Sequence, residues 1–527
     1  MSPVFNAMHA TILKLTNGTN GDFCIRCHTP VGMNLNEPEF MSNMDRHPTS
    51  REGITCIACH RLQNPYGKVS GRLAIVEGDI FDPVFGPTGG SEVRRVIGSG
   101  DYNVNTKRGR AGRAIHTNAM KLDQMSTSGF CATCHDVNLV NGFRLEEAFS
   151  DFKTSPASRN GVTCQDCHMG VEPGKNSGYA RGPAAIVGGK PTKLRKRTNH
   201  MFAGPDYSVI HPGIFPHNPD AAELATIREW LSYDYEAGWG TDEFEKNLPA
   251  DYKFPRRWTS ADDRYDARDI LADNLTLLEE IEIQRRQVLK EGYRLEDVIV
   301  ERADQSGIKF KVEVANGTDG HSVPTGFDAE RLVFLQVTLT DQNGIVVFKS
   351  GDLDPNGDVR DTHSLYVHNG ELPRDEYLFS LQSRFIVNMV RGGERDQVLA
   401  VNYSPTPLPF LRPSTSSTVL LGRPVDARKH RQVLVPLSSK WPEYEVNRSH
   451  LIGSRGPYSA NIKLIAAMVP INLINEIKDV GFDYNMSPRD VAARVLAGHM
   501  VLWEYDLTLK RGIFLRRPEF SDKSAGR

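Results

Sequence analysis

Long apolar runs are missing from this chain of 527 residues. The best candidate, Ile462 to Ile477, is broken by Lys463, Pro470, Asn472 and Glu476, and a bilayer span needs about 20 apolar residues in a row. No transmembrane segment is therefore expected. An excess of one charge is missing too. Lys+Arg is 63 against Asp+Glu 65, a net charge of −2, whereas a dedicated nucleic-acid binder has a strongly basic total. No nucleic-acid partner is expected. Met1-Ser2-Pro3-Val4-Phe5-Asn6 lacks a basic n-region and an apolar h-region, so it does not read as a secretion signal. Cysteine is absent from the last two thirds of the chain. What remains is ordinary globular material, 39% hydrophobic and 24% charged, which excludes disorder, collagen and coiled coil as whole-chain descriptions. At about 150 residues per domain the length suits three or so domains.

The eight cysteines fall into four identical frames, and none is left over. The frames are Cys24-Ile25-Arg26-Cys27-His28, Cys56-Ile57-Ala58-Cys59-His60, Cys131-Ala132-Thr133-Cys134-His135 and Cys164-Gln165-Asp166-Cys167-His168. C-x-x-C-H is the attachment signature of c-type haem. Two thiols form thioethers to the porphyrin, and the adjoining His is the proximal iron ligand. A zinc ribbon does not need a His after every second Cys. A thioredoxin-like pair would occur once. A disulfide framework belongs to small secreted chains, not to one of 58.8 kDa. Four covalent haems, with His28, His60, His135 and His168 proximal, are the expectation. Covalent haem is attached outside the bacterial cytoplasm. A leader already removed and a periplasmic or extracellular location are therefore expected.

The haem region is an internal repeat. His9 stands 15 residues before Cys24 and His116 stands 15 before Cys131, each followed at the same offset by Lys-Leu. The second frame of each half is introduced alike, by Gly53-Ile54-Thr55 and Gly161-Val162-Thr163. The halves differ at His47, whose counterpart is Ser155. Four irons need up to four further ligands, and His9, His47, His116 and His200 are the expected distal set. His211, His217 and His321 are weaker candidates, as distal or intersubunit ligands. Met8, Met33, Met44, Met120 and Met201 are available, but no Met recurs with the repeat; core packing is the plainer role for them.

These residues resemble the multihaem c-type cytochromes related to the tetrahaem cytochrome and hydroxylamine oxidoreductase superfamily. The resemblance is carried by Gly161-Val162-Thr163-Cys164-Gln165-Asp166-Cys167-His168 and by Asn199-His200-Met201-Phe202-Ala203-Gly204. The latter is similar to that group's distal-ligand segment. Gly320-His321-Ser322-Val323-Pro324-Thr325-Gly326 looks like part of a β-domain attached to such cytochromes. The resemblance implies electron transfer. No frame ends in Lys, and there are only four frames; both departures argue against catalytic turnover, and no catalytic residue is expected.

An α+β chain in three parts follows. Residues 1–217 are a mostly α or irregular tetrahaem domain built from the duplicated dihaem unit. Residues 218–295 are a helical connector, with helices over Asp220–Tyr235 and Ala261–Glu291. Residues 296–527 are a haem-free β-sandwich, packed independently of the haems. Its strands are expected around Ile308–Val314, Leu332–Thr340 with an Asn343-Gly344 turn, Gln397–Tyr403, Ser417–Leu421, Gln432–Pro436, Ala460–Met468 and His499–Leu507. A helix capped by Ser487 fits Pro488 through Leu496. Asp352, Asp354, Asn356, Gly357 and Asp358 resemble the first half of a calcium loop, but position 12 is His363 rather than Glu. A polar turn is the plainer reading, with calcium as a lesser one. Basic runs at 107–110 and 193–197 read as a solvated face, or as groups that pair haem propionates or dock an acidic partner.

The expected function is a multihaem electron carrier working with redox partner proteins. The alternative is a subunit of a polymeric extracellular filament, a nanowire of like subunits. The least favoured is a small-molecule redox enzyme with one open iron.

Overall fold

The computed structural model describes residues 2–16, 18, 20–62, 73–138, 144–388, 394–399, 401–403, 418–420, 427–514 and 519–520. The chain is α+β, with helices concentrated before residue 293 and long strands after it.

The region holding the four Cys frames has little regular structure. Helices of four or five residues carry the frames: Ile25–His28, Cys56–His60 and Cys164–His168, with Ser128–Cys131 leading into the third. The last is the best capped. Thr163 accepts from Asp166 N, and the Asp166 carboxylate accepts from Thr163 N at 2.8 Å, a reciprocal cap that fixes the entry of the chain. Two-stranded ribbons fill the space between, including Val84–Gly86 with Ala119–Lys121 and Ala180–Pro183 with Leu194–Arg197.

The connector differs from its expected form. Asp220–Tyr235 is not one helix but two, Pro219–Leu224 and Ile227–Trp230. The break has a local cause. Ala225 is extended, and Thr226 with Glu229 forms a new capping box, so the chain restarts rather than continues. The turn lets Trp230, Tyr233, Trp239 and Trp258 gather on Ala267 and Leu271 of the long helix Ala261–Gly292. That helix also buries polar groups on its inner face. Asn274 donates to Pro212 O at 2.7 Å, and Arg285 donates to Pro205 O at 2.9 Å and Gly498 O at 2.6 Å. It thus holds the region of the Cys frames and the β half together.

Two antiparallel five-stranded sheets make the β half. One places Gly307–Asn316 between Tyr293–Asp304 and the pair Ser439–Lys440 and Glu443–Asn447, with Gly512–Phe514 outside. The other runs Val346–Ser350, Leu332–Thr340, Ser459–Ala467, Met500–Thr508 and Glu519–Phe520. Strict alternation along 307–316 sends Ile308, Phe310, Val312 and Val314 inward, against Leu335, Val337, Ile462, Leu464 and Leu502 of the facing sheet. The Asn343-Gly344 turn forms because Asp341 accepts from Asn343 N at 2.8 Å and Ile345 N at 2.9 Å, with Gly344 at φ +78°. The helix Pro488–Ala497 starts from Ser487 as expected. Gln432–Pro436 is a single bridge, Leu434 with Val323, because the chain only touches the loop there. Of the strands expected at 397–403 and 417–421, Val401–Tyr403 pairs with Thr418–Leu420; residues 400, 417 and 421 lie outside the described residues.

The two halves are closely joined. The N-terminal helix Pro3–Leu15 buries Ala7 and Ile12 against Leu473 and Ile477 of the β half. Asp483 accepts from Asn6 Nδ2 at 2.6 Å, Ser42 Oγ at 2.8 Å and Asn43 N at 2.9 Å. Arg431 pairs with Asp151 at 2.8 Å, Lys429 with Glu147 at 2.8 Å, and Arg331 with Asp206. The sandwich has its own core, but it also packs on the region of the Cys frames.

Candidate functional site

The four frames meet at their cysteines. Cys27 Sγ lies 3.9 Å from Thr133 O of the third frame, with Cys134 close by, and Cys131 lies close to Cys164. Cys59 lies within electrostatic reach of both Cys131 and Cys134. The third frame is therefore the hub, with the first and fourth on either side. Ser128 and the carbonyls of Met125 and Thr127 pin the fourth frame to the third, through Cys164 N at 3.1 Å and Gln165 Nε2 at 3.0 and 2.9 Å.

The frame histidines are crowded by protein without being fully covered. His28 and His135 keep free surface, and the His135 side chain is 69% exposed. Yet desolvation dominates at His28 and His168, and pushes both pKa values down to about 4. Free surface and strong desolvation coexist where a ring faces a space enclosed by protein. Phe5 stacks on His28 with ring centres 4.0 Å apart.

Two pairs of rings stand near each other. His60 and His200 have centres 6.4 Å apart and planes at 31°; His168 and His321 have centres 6.2 Å apart and planes at 10°. Two imidazoles ligating one metal ion from opposite sides, each at about 2.0 Å, carry their centres about 6 Å apart. The donor set at these two frames fits an iron between the rings.

Ring hydrogen bonds sort the remaining histidines. A carbonyl can only accept, so a ring whose Nδ1 meets a carbonyl carries its proton there and leaves the Nε2 lone pair free. His60 meets Phe85 O at 2.7 Å, His116 meets Ile80 O at 2.7 Å, His200 meets Thr198 O at 2.9 Å and His321 meets Ser322 O at 2.9 Å, all through Nδ1. His9 belongs with them. It is 1% exposed, its ring bonds the Gly21 backbone, and Nε2 is buried without a partner. Burial pushes its pKa down to about 4, which keeps the ring neutral and suited to a metal.

His47 and His211 have the opposite polarity. His47 Nδ1 accepts from Thr49 N at 3.3 Å, so its neutral ring carries the proton on Nε2. His211 Nδ1 accepts from Gly213 N at 3.0 Å and its Nε2 donates to Tyr233 O at 2.9 Å, which uses both nitrogens. His217 is half-buried, with its backbone N–H on Glu52 at 2.9 Å.

Two features escape the sequence pattern. Glu146 stands 3.5 Å from His135 Nδ1, brought there by pairing of Val137 with Glu146, and it raises the His135 pKa. Phe5 sits one helical turn before His9, a spacing that puts both on one face. The repeat is structural in its second part, where Pro48–Arg51 and Cys56–His60 match Pro156–Arg159 and Cys164–His168, but not in its first: His9 lies in a helix, His116 in an extended segment before Ala119–Lys121.

The acidic run is a turn. Asp354 Oδ1 accepts from Asn356 N at 2.8 Å and Asp358 N at 3.1 Å, and Oδ2 accepts from Ser364 Oγ at 2.7 Å. Asp352 is engaged by Arg360 at 2.6 Å. Among the described residues no group of three or more His, Cys, Asp or Glu side chains is placed to hold a free metal ion. No helix among them is long and apolar enough to cross a membrane.

No family model matches the chain, and no curated protein matches it. Among solved structures, a penta-heme cytochrome c552 from Thermochromatium tepidum is similar over 86% of this chain and 78% of that one, with 16% identity and a TM-score of 0.41.

Proposed function

We propose that the chain is a multihaem electron-transfer protein with four covalent c-type haems, one at each C-x-x-C-H, passing electrons between them in the periplasm or outside the cell. The observation that carries this reading is the pair of facing imidazoles, His60 with His200 and His168 with His321. Each lies at a Cys frame and at the separation that one shared iron needs. Bound there, each haem supplies a one-electron iron couple. The chain supplies the rest. Backbone carbonyls hold Nδ1–H of His60, His200 and His321, so Nε2 keeps its lone pair for iron. The contacts among the first, third and fourth frames bring the cofactors near one another.

Within this reading His200 and His321 are the distal ligands of the second and fourth haems. His9 faces the first, since it is close enough to His28 to depress that ring's pKa. His116 is the remaining candidate ligand, and His321 takes the place that sequence reasoning gave to His47. The free Nε2 of His116 supports a second reading, in which it caps a haem of another copy and the chain is a subunit of an extracellular filament. Electron microscopy of the native material separates the two. The primary reading is tested by electron paramagnetic resonance of the oxidised holoprotein. Low-spin bis-imidazole iron is the expected dominant signal; dominant high-spin iron would favour a ligand-binding enzyme instead.

A further inference from the structure

The ribbon Ala180–Pro183 with Leu194–Arg197 is unusually one-signed. Residues 180–197 hold Arg181, Lys190, Lys193, Arg195, Lys196 and Arg197 and not one Asp or Glu, in a chain whose net charge is −2. All six cations are exposed. The 107–113 loop adds four more cations and no acid. Tyr102, just before that loop, donates its hydroxyl to Pro191 O at 3.2 Å, and so ties the two segments into one face. Two apolar side chains of the same segment are exposed among these cations: Leu194 is 67% exposed and Ile186 is 63% exposed. Exposed apolar contacts ringed by one sign of charge are the makings of an interface, the charge steering encounter and the apolar centre giving contact.

Position gives the face its use. Lys196 Nζ lies 3.4 Å above the Tyr179 ring, and Tyr179 OH donates to Asp166 Oδ1 at 2.6 Å, inside the fourth Cys frame. Three residues beyond Arg197 the chain reaches His200, which faces His60 of the second frame. The ribbon is thus joined to two of the four proposed haem sites.

We infer that this basic ribbon is the docking surface for an acidic redox protein, which exchanges electrons with the chain through the second or fourth haem. The inference rests on the electron-transfer reading above. Each productive encounter passes one electron between the partner's redox centre and a haem iron, with no other bond made or broken.

The test uses the full holoprotein and two reductants in stopped flow: an acidic flavodoxin in its hydroquinone form, and neutral reduced lumiflavin. With flavodoxin, the rate constant should fall at least tenfold from low to high ionic strength, as steered association does. Lys190→Glu with Arg195→Glu should lower the low-salt rate at least tenfold and abolish or invert the salt dependence; Lys190→Gln with Arg195→Gln should fall between. Lumiflavin should reduce all variants equally, which shows that the haems and their exchange are intact. If lumiflavin reduces no variant and not the parent, the electron-transfer reading itself fails. An unchanged flavodoxin rate in the charge-reversed variant would overturn the docking surface. So would shifted haem potentials with both reductants slowed alike, which would assign these cations to the chain's own propionates. Binding to anionic vesicles or duplex DNA that depends on the ribbon, without any effect on flavodoxin, would overturn it as well.

Discussion

The His168 and His321 rings stand 6.2 Å apart and 10° from parallel, although one ends a Cys-frame helix and the other lies in a loop of the β half. The two parts of the chain are therefore in close approach at these rings. In the electron-transfer reading, the haem-free half completes the coordination of the fourth haem, and it walls the others through Asp483, Arg431 and Lys429.

Replacing His321 tests this directly. His321→Ala should convert one haem of the four from low to high spin and leave the thioethers intact. His47→Ala should leave the spin state unchanged, because that ring caps a backbone N–H instead. Low-temperature spectra of the two variants, side by side, decide which histidine serves an iron.

Arg264 anchors the connector. Its side chain is 2% exposed, pairs with Glu245, donates to Trp258 O at 2.8 Å and lies 3.8 Å over the Phe254 ring. Arg264→Ala strands the Glu245 carboxylate in the aromatic core, and breaking such a buried pair costs about 3–5 kcal/mol. A drop of that size in denaturant unfolding, with haem content unchanged, is expected. Glu245→Gln also leaves the buried Arg264 guanidinium without its counter-charge, but its amide oxygen can still accept from Arg264, so it should cost less than Arg264→Ala.

Asp358 is buried, its Oδ2 has no partner, and desolvation together with nearby Asp354 raises its pKa well above the usual carboxylate range. The folded chain thus holds this proton more tightly than the unfolded one. Stability is lost as pH rises through the ordinary carboxylate pKa of about 4 toward the raised folded value. Asp358→Asn keeps the oxygen that accepts from Asn472 N and removes the charge. The variant should melt above the parent at pH 7, with the gap closing as the pH falls toward about 4. A pH-independent gap would contradict this.

Calcium provides a separate check. Asp354 already accepts from backbone and Ser364 donors, and Asp352 is paired with Arg360. Chelator should therefore leave the melting temperature unchanged, and added calcium should not raise it.

Much of this is legible in the sequence. The Cys frames carry their own chemistry, and the sandwich follows from strict alternation at 308–314 and the Asn343-Gly344 turn. His321 is harder to read, because its role depends on a loop of one half meeting a helix of the other. In the electron-transfer reading His47 is the converse case: its distance from Cys56 says nothing about whether Thr49 N–H claims the ring. An independent β half would lack polar contacts such as Arg285 to Gly498 O and Asn6 to Asp483, which have no periodic signature. Thr226 does announce a helix start, but the apolar pattern of 220–235 runs through it.

Covalent haem attachment is measured most directly by the intact mass of the chain under denaturing conditions, isolated from cells able to attach haem. Four thioether-linked haems predict the polypeptide mass plus four haems, surviving denaturation, with no alkylatable thiol left among the eight cysteines. A chain with free thiols, or one that releases zinc on unfolding, would contradict this.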